Sequence, residues 1–324
     1  MTLTHPDGFA DFRRLSAQLG QDPLRVQGPG GNTSIKTGEV MWIKASGTEL
    51  AEAEARDIFV AVSIARARAE ASGKAGDGSC KDTVLDPELG LRPSIETTFH
   101  AALPWPVIAH THSIATLVHA VSPEGRIALD DKLAGLPFVR VPYAKPGLPL
   151  TGQILAHAKD DTRVFVLENH GLIICGEDVE STSALTEEVE ARLSMPLHFV
   201  DKSLPETAPP DGFAWTAESW IARDDRAADL AVSGSYYPDH VVFLGPALPA
   251  ADTPANPPAI LIEGVGVALR DGATPSQRAM LTCLSDLLIR LPGDWTAEAI
   301  GAKAEAELLN WDAEKYRQAL AARQ

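Results

Sequence analysis

The sequence of 324 residues predicts an α/β protein in which helices flank a mixed sheet. Apolar runs of strand length alternate with amphipathic stretches of helix length. The helical stretches are uneven, which favours a mixed sheet over a regular doubly wound parallel one. No internal repeat or low-complexity tract breaks this pattern. We therefore expect one main domain with a smaller appendage, as is usual for a chain of this length.

The elements before residue 200 follow from periodicity and turn residues. An amphipathic helix is predicted over residues 8–20, ending at Gly20. The other predicted elements are, in chain order, strands in VMWIK and DIFVAVSI, a polar loop over 71–92, a helix in SIETTFHAAL with Ser94 as N-cap, a strand in VIAHTHS, a helix from Ile114 to Val121, a strand in FVRVPY, a helix in GQILAHAKD, two strands in RVFVLENHGLIICG, and a long helix over 178–200.

A change of composition after Val200 predicts a domain boundary. The stretch DKSLPETAPPDG is polar and rich in proline, as linkers are. We place the main domain at residues 1–203 and a smaller α/β extension at 204–324. The extension is predicted to contain strands in HVVFLG and AILIEGVGVAL and helices near 275–291 and 297–320.

The charge balance excludes some partners. The formal net charge is −16, whereas nucleic-acid binding depends on Lys and Arg that neutralise phosphates. The same charge disfavours an anionic membrane surface, and no apolar run reaches the roughly 18 residues of a transmembrane helix. A small anionic ligand remains compatible, because a few local donors can bind it.

The cysteines and the N-terminus predict a cytoplasmic protein. Cys80, Cys175 and Cys283 are far apart and form no CxxC pair, which indicates reduced thiols rather than a disulfide framework. The first fifteen residues, MTLTHPDGFADFRRL, lack the apolar core of a signal peptide.

Two histidines stand two apart in the stretch AHTHS, directly after the apolar run PWPVIA. Residues i and i+2 of a strand project to the same face, so His110 and His112 can reach one object. His170 ends another predicted strand, where Gly171 is expected to let the backbone turn sharply. Three imidazoles would leave an open coordination position on a divalent metal, as in catalytic zinc sites. The alternative is that these histidines are buried and simply hydrogen-bonded, since HxH alone is a weak signal.

Glu96 has two interpretations. It falls in the first turn of the helix predicted just before the HxH strand, where an acidic residue stabilises the helix dipole. In a cleft beside a metal, the same carboxylate could serve as a general acid or base.

Three turns of small residues could bind an anion. GPGGNTS is neither a Walker A motif nor GxGxxG, and an ordinary flexible turn is the alternative. Backbone amides, hydroxyls and a helix N-terminus can together cradle a phosphate without basic residues. Lys36 and Lys44 are interpreted as solvated charges. The candidate donors are Asn32, Thr33, Ser46, Gly47 and Ser94.

The motifs GGNTS, KASGT, PSIE, AHTHS and ENHGLIICG occur in an order that resembles the class II aldolase/adducin family, over about residues 8–200. The resemblance implies a three-layer α/β/α fold around a central, mainly antiparallel or mixed sheet. The C-terminal part is similar to the segment that extends the aldolase half of bifunctional rhamnulose-phosphate aldolase/dehydrogenase proteins. The dehydrogenase half has no counterpart, because no Rossmann glycine pattern follows residue 200.

The resemblance also assigns roles to residues. It implies that His110, His112 and His170 bind zinc or another divalent metal. It implies that Glu96 is the acid/base. The residues that it implies for binding a substrate phosphate are Asn32, Ser46, Gly47 and Ser94. Ile95 stands where sugar-phosphate aldolases often have a second serine, so one phosphate hydroxyl is missing here.

These assignments predict a zinc-dependent, aldolase-like lyase that cleaves a phosphorylated ketose through a metal-stabilised enediolate. A decarboxylase or an epimerase of a sugar acid or sugar phosphate could use the same residues. A non-catalytic, adducin-like interaction module is the alternative from another class. By resemblance we expect a homo-oligomer, with tetramers common among relatives and a tyrosine from a neighbouring subunit often in the site. Tyr143, Tyr236 and Tyr237 are the candidates for that role.

Overall fold

The computed structural model describes residues 3–250 and 257–322, and a seven-stranded sheet forms its centre. The spatial order of the strands is β3-β2-β1-β4-β7-β6-β5. The β5–β6 pair is parallel and the other pairs in this sheet are antiparallel, which confirms the predicted mixed sheet. The strands are β1 (Asn32–Thr37), β2 (Val40–Lys44), β3 (Phe59–Ser63), β4 (Val107–Thr111), β5 (Phe138–Val141), β6 (Val164–Leu167) and β7 (Gly171–Gly176).

Helices cover both faces of this sheet, which confirms the three-layer arrangement. They are α1 (Phe9–Gln21), α2 (Ile64–Ala71), α3 (Thr97–Ala102), α4 (Ile114–Ala120), α5 (Pro123–Lys132), α6 (Leu148–His157) and α7 (Val179–Leu193). Strand β6 shows why both faces need a cover, since its apolar side chains alternate between them. Val164 and Val166 pack with α4, α5 and α7, while Phe165 and Leu167 pack with α3 and α6. Each such buried side chain contributes about 1.5–3 kcal/mol.

The C-terminal part forms a smaller α/β unit with its own three-stranded antiparallel sheet, in the order β8-β10-β9. Its core includes the outer face of α4, through Leu117, Val118 and Val121. The boundary predicted near residue 203 stays a prediction. The elements are β8 (Phe213–Trp215), a 3-10 helix (Ala217–Arg223), α8 (Asp225–Ser233), α9 (Pro238–Leu244), β9 (Ala259–Ile262), β10 (Gly266–Arg270), α10 (Pro275–Leu288), α11 (Ala302–Leu309) and α12 (Asp312–Ala321).

One element was predicted with the wrong type. HVVFLG lies in helix α9, not in a strand. Every residue of α9 is buried, so the segment has no polar face from which a helical period could be recognised. Pro238 stands at the start of the helix, where its fixed φ favours the first turn.

Two helices are shorter than predicted. Helix α7 ends at Leu193, shortly before Pro196, because a residue before proline is disfavoured in the helical region. The helix predicted over 297–320 is two helices, α11 and α12, separated at Asn310 and Trp311.

In the described ranges, no helix is both long and apolar enough to cross a bilayer. The three cysteines are buried free thiols, as expected.

Candidate metal centre and active site

The three histidines meet because of strand pairing. Strand β4 is antiparallel to β7, so the end of β4 lies beside the start of β7, with Thr111 opposite Leu172. His110 lies in β4, His112 follows its end, and His170 immediately precedes β7. One ring nitrogen from each histidine lies within 4.8 Å of the other two. All three rings are buried, so the structure brings together a group that could hold a metal ion.

The turn that presents His170 depends on Asn169 rather than on Gly171. Asn169 has φ +52°, the left-handed conformation that asparagine tolerates. The φ of Gly171 is not positive. Gly171 is needed for a different reason, since a Cβ there would lie 2.2 Å from the carbonyl oxygen of Thr111. The Asn169 amide donates to the carbonyls of Tyr236, at 3.1 Å, and Glu298, at 2.7 Å, so the extension fixes this turn.

His110 and His170 are in the protonation state that binds a metal. Burial lowers the pKa of His110, and it lowers the pKa of His170 to about 3. Both rings are therefore neutral at pH 7, which leaves a lone pair on each. His110 donates from Nδ1 to the Leu172 carbonyl at 3.0 Å, so its lone pair is on Nε2.

Glu96 faces the histidines from the start of α3, where it is the residue just before the first turn. Its Oε2 lies 3.3 Å from His110 Nε2 and its Oε1 lies 3.5 Å from His170 Nε2. Burial acts to raise the pKa of Glu96, but the facing histidines and the Asn32 amide outweigh it and bring the pKa to about 2. The carboxyl is therefore ionised at neutral pH, beside the histidine cluster.

The donor set fits a divalent cation. Among the described residues, Glu96 Oε1 and His110 Nε2 are buried with no hydrogen-bond partner. Buried polar atoms are normally paired, so such orphans need an explanation. A cation between the imidazoles would give His110 Nε2 a partner and would compensate the buried carboxylate. Imidazole nitrogens suit zinc, copper, iron and nickel.

The small-donor turns line one cavity of about 30 Å³ together with Glu96, His112 and His170. The predicted anion-binding residues on its wall are Asn32, Ser46, Gly47 and Ser94. Thr33 is not among the residues of the wall. As the next residue of β1 it projects to the other face of the sheet, where its hydroxyl lies 2.7 Å from that of Ser16.

Asn32 and Ser94 organise the carboxylate. The Asn32 amide donates to Glu96 Oε2 at 2.8 Å and to the Ser94 hydroxyl at 3.2 Å, and its oxygen pairs with His100. Ser94 is not the N-cap of α3, as was predicted, because the helix begins only at Thr97. Its Oγ accepts instead from the Glu96 backbone N–H at 3.2 Å.

Lys44 is buried and Lys36 is half-buried, whereas both were predicted to be solvated. Lys44 ends β2 in the cavity wall and donates to the carbonyls of Pro29, at 2.8 Å, and Thr48, at 2.6 Å. Burial lowers the pKa of Lys44 to about 7. Lys36 is half-buried, and its ammonium donates to the Trp105 carbonyl at 2.9 Å. Both lysines lie on inner strands of the sheet, and loops supply the carbonyls that they bind. The periodicity of the sequence does not show where those loops fold.

Two charged residues of the extension also line the cavity, and sequence reasoning missed both. Asp239, in α9, places Oδ2 3.4 Å from His112 Nδ1. Arg317, in α12, donates to both oxygens of Asp239, at 2.9 and 3.0 Å. Neither residue lies in a motif, and no local spacing connects them to the histidines. Only the packing of the extension brings them to the site.

The tyrosine candidates are not on the cavity wall. The hydroxyl of Tyr236 donates to the Leu230 carbonyl at 2.8 Å, and that of Tyr237 to the Met280 carbonyl at 3.3 Å. Both rings lie in the core of the extension. Tyr143 is half-buried, and its hydroxyl has no hydrogen-bond partner among the described residues.

The fold and the site together define a three-layer α/β protein with a buried histidine cluster at a sheet end. Residues 13–197 match the family model of the class II aldolase and adducin N-terminal domain. The chain belongs to the class II aldolase and adducin family, which confirms the resemblance seen in the sequence.

Individual relatives agree with this membership. The chain is 30% identical over 212 residues to the uncharacterized oxidoreductase YuxG of Bacillus subtilis, covering 57% of this chain and 29% of that protein. It is 30% identical over 118 residues to a 3-oxo-tetronate 4-phosphate decarboxylase of Escherichia coli K12, covering 31% of this chain and 53% of that protein. The chain thus spans about half or less of these relatives. An N-terminal class II aldolase domain from Thermoplasma acidophilum superposes with a TM-score of 0.52 at 26% identity, covering 60% of this chain and 95% of that one.

Proposed function

We propose that the protein is a metal-dependent carbon–carbon lyase, with zinc as the metal, that cleaves a phosphorylated ketose in an aldolase-like reaction. The observation that supports this most is the histidine cluster faced by an ionised glutamate, with Glu96 at 3.3 Å from His110 and 3.5 Å from His170. A structural histidine cluster would have no need of a buried carboxylate with an unpaired oxygen.

His110, His112 and His170 would hold the metal. A divalent ion there supplies Lewis-acid stabilisation of the negative charge that forms on substrate oxygens as the carbon–carbon bond breaks. Glu96 would transfer the proton that leaves the substrate and returns to it. Its Oε2 is engaged by Asn32, so Oε1 is the atom free to take a proton from the substrate and return it. Asn32 keeps this carboxylate in place, which avoids reorganisation during the reaction.

Ser46, Gly47 and Ser94 would orient the substrate phosphate. Lys44 lies in the same wall, where a bound anion would favour its protonated form. Its ammonium has three donors and gives two of them to carbonyls, so one remains for an anion. This lysine would compensate for the hydroxyl that is missing at Ile95.

Decarboxylation of a 3-oxo acid phosphate is the second candidate. The similarity to a protein named 3-oxo-tetronate 4-phosphate decarboxylase favours it. Loss of CO2 also leaves negative charge next to a carbonyl, so the same metal ligands and the same Glu96 would serve. Epimerisation beside a hydroxyl would use these residues as well.

The adducin-like alternative predicts an interaction module that catalyses no reaction. Such a chain has no reason to keep three metal ligands and an acid/base together, whereas this chain keeps all four in one buried cluster. That retention favours an enzyme.

A substrate screen tests the proposal. The zinc-loaded protein is incubated with a panel of ketose phosphates and 3-oxo acid phosphates, while aldehyde release, CO2 release and inversion of configuration are followed. Aldehyde release that is absent in His110→Ala supports the aldolase. CO2 release or inversion would favour the second candidate or the epimerase, and no turnover of any compound would contradict the lyase proposal. The expected homo-oligomer is tested separately by sedimentation, which should give a mass several times that of one chain.

A further inference from the structure

We propose that Asp239 is a positioning residue for the metal ligand His112, and that Arg317 holds Asp239 in place. The C-terminal extension would thereby complete the metal centre. This inference rests on the proposed metal site, because it concerns how one of its ligands is oriented.

The first step is the contact between Asp239 and His112. Oδ2 of Asp239 lies 3.4 Å from Nδ1 of His112, and both side chains are buried. A carboxylate beside Nδ1 favours the tautomer with the proton on Nδ1, which leaves the lone pair of Nε2 for a metal. The Nδ1 of His110 likewise faces an acceptor, the Leu172 carbonyl, at the shorter distance of 3.0 Å.

The second step is the ion pair that holds the carboxylate. Arg317 donates to Asp239 through two parallel bonds, at 2.9 and 3.0 Å, and also to Glu314 at 2.9 Å. Two-point pairing fixes the plane of a carboxylate as well as its position. Asp239 comes from α9 and Arg317 from α12, so two helices of the extension converge on one imidazole.

The glycine-rich turn is shaped around this contact. A Cβ at Gly30 would lie 2.9 Å from Nδ1 of His112 and 3.0 Å from Oδ2 of Asp239. Any larger residue would have to separate the two groups. Gly30 therefore leaves room for the contact between His112 and Asp239, in addition to its place in the anion-binding turn that the sequence indicated.

Both residues lie outside the matched family segment, which ends at residue 197. The extension also fixes the turn before His170, through the two bonds from the Asn169 amide. Two of the three ligands are thus oriented by contacts from the same part of the chain, and that part packs directly on α4, which follows His112.

The test measures zinc affinity of the full-length protein by competition with a chromophoric chelator. Asp239→Asn keeps the shape of the side chain but removes its charge, and we expect zinc affinity to fall about 10- to 100-fold. Asp286→Asn is the matched control, because Asp286 pairs with Arg290 at 2.7 Å in the same extension, away from the site. The control should bind zinc within about twofold of the wild type.

A triple variant separates positioning from mere charge balance. Asp239→Leu with Glu314→Leu and Arg317→Met removes the whole buried ionic cluster, and apolar replacement of such a cluster is often neutral for folding. If Asp239 only neutralised Arg317, zinc affinity would be restored in the triple variant. We expect the zinc affinity of the triple variant to stay low while the melting temperature of its apo-protein stays near that of the wild type. The Co2+-loaded protein should also show an altered visible spectrum.

Three outcomes would contradict the account at different levels. Wild-type affinity in Asp239→Asn would overturn this inference and leave the metal site intact. Recovery of zinc affinity in the triple variant would reduce Asp239 to a charge partner of Arg317. Failure of the wild type to bind any divalent metal would overturn the proposed function together with this inference.

Discussion

Glu96 shows how single contacts support the chemistry proposed for a residue. As a glutamate near the start of a helix it could have served only the helix dipole. Its two oxygens instead differ, since Oε2 accepts from Asn32 and Oε1 is without a partner among the described residues. That asymmetry is what makes one oxygen available for a proton.

Glu96→Gln tests this assignment. The amide oxygen can still accept from Asn32, so the side chain keeps its place while it loses the ability to take a proton. We expect bound metal to stay near the wild-type level and turnover to fall about 10²- to 10⁴-fold. The control is Glu70→Gln, a buried glutamate of α2 that accepts from two backbone amides far from the site. Undiminished turnover in Glu96→Gln would remove Glu96 from the mechanism.

Lys44 gives a prediction for pH. Its pKa falls from 10.5 to about 7 on folding, chiefly by burial. Between these values the unfolded chain binds the proton and the folded chain does not, so this group makes stability rise with pH. We expect the free energy of unfolding of the wild type to gain up to about 1.4 kcal/mol per pH unit relative to Lys44→Met, from pH 7.5 to 9.5. Urea unfolding at three pH values measures the slope. Lys159→Met replaces an exposed lysine and is the control. Its free energy of unfolding should change with pH as that of the wild type does, and the same result for Lys44→Met would refute the linkage.

At the scale of elements, strand pairing made the histidine cluster predictable. The spacing of His110 and His112 placed them on one face, and His170 ended another strand. Antiparallel pairing of β4 with β7 then brings those strand ends together. The i, i+2 spacing and the positions at strand ends are local signals, so the sequence alone contains them.

The same scale explains the failures. Helix α9 was taken for a strand because all its residues are buried and no amphipathic period remains. Thr33 was grouped with Asn32 although neighbours in a strand face opposite sides. Asp239 and Arg317 are 78 residues apart, and their convergence depends on tertiary packing that no local pattern records.

At the scale of the whole molecule, the extension covers the site. Helix α12 lies over the Ser46-Gly47 turn, and the cavity left between them is about 30 Å³, room for about one water molecule. A sugar phosphate needs more space than this, so the position of α12 bears directly on substrate entry.

Gly47→Ala tests the contact between the turn and α12. Gly47 has φ +78°, and a Cβ there would lie 2.2 Å from Cδ1 of Leu320. Gly38→Ala is the matched control, because Gly38 has φ +53° with no atom within 4 Å of an added Cβ. Both variants pay the left-handed strain of about 1–2 kcal/mol, but only Gly47→Ala should displace α12. Faster hydrogen exchange over residues 312–321 in that variant alone is the expected result, and equal exchange in both would argue against the contact.

The central claim is that His110, His112 and His170 hold one metal ion, and metal analysis of the purified protein tests it most directly. We expect close to one divalent ion per chain in the wild type and in His157→Ala, which removes an exposed histidine of α6. In His110→Ala the metal content should fall to a small fraction, because a ligand buried in the cluster is lost. A folded His110→Ala protein with unchanged metal content would contradict the account.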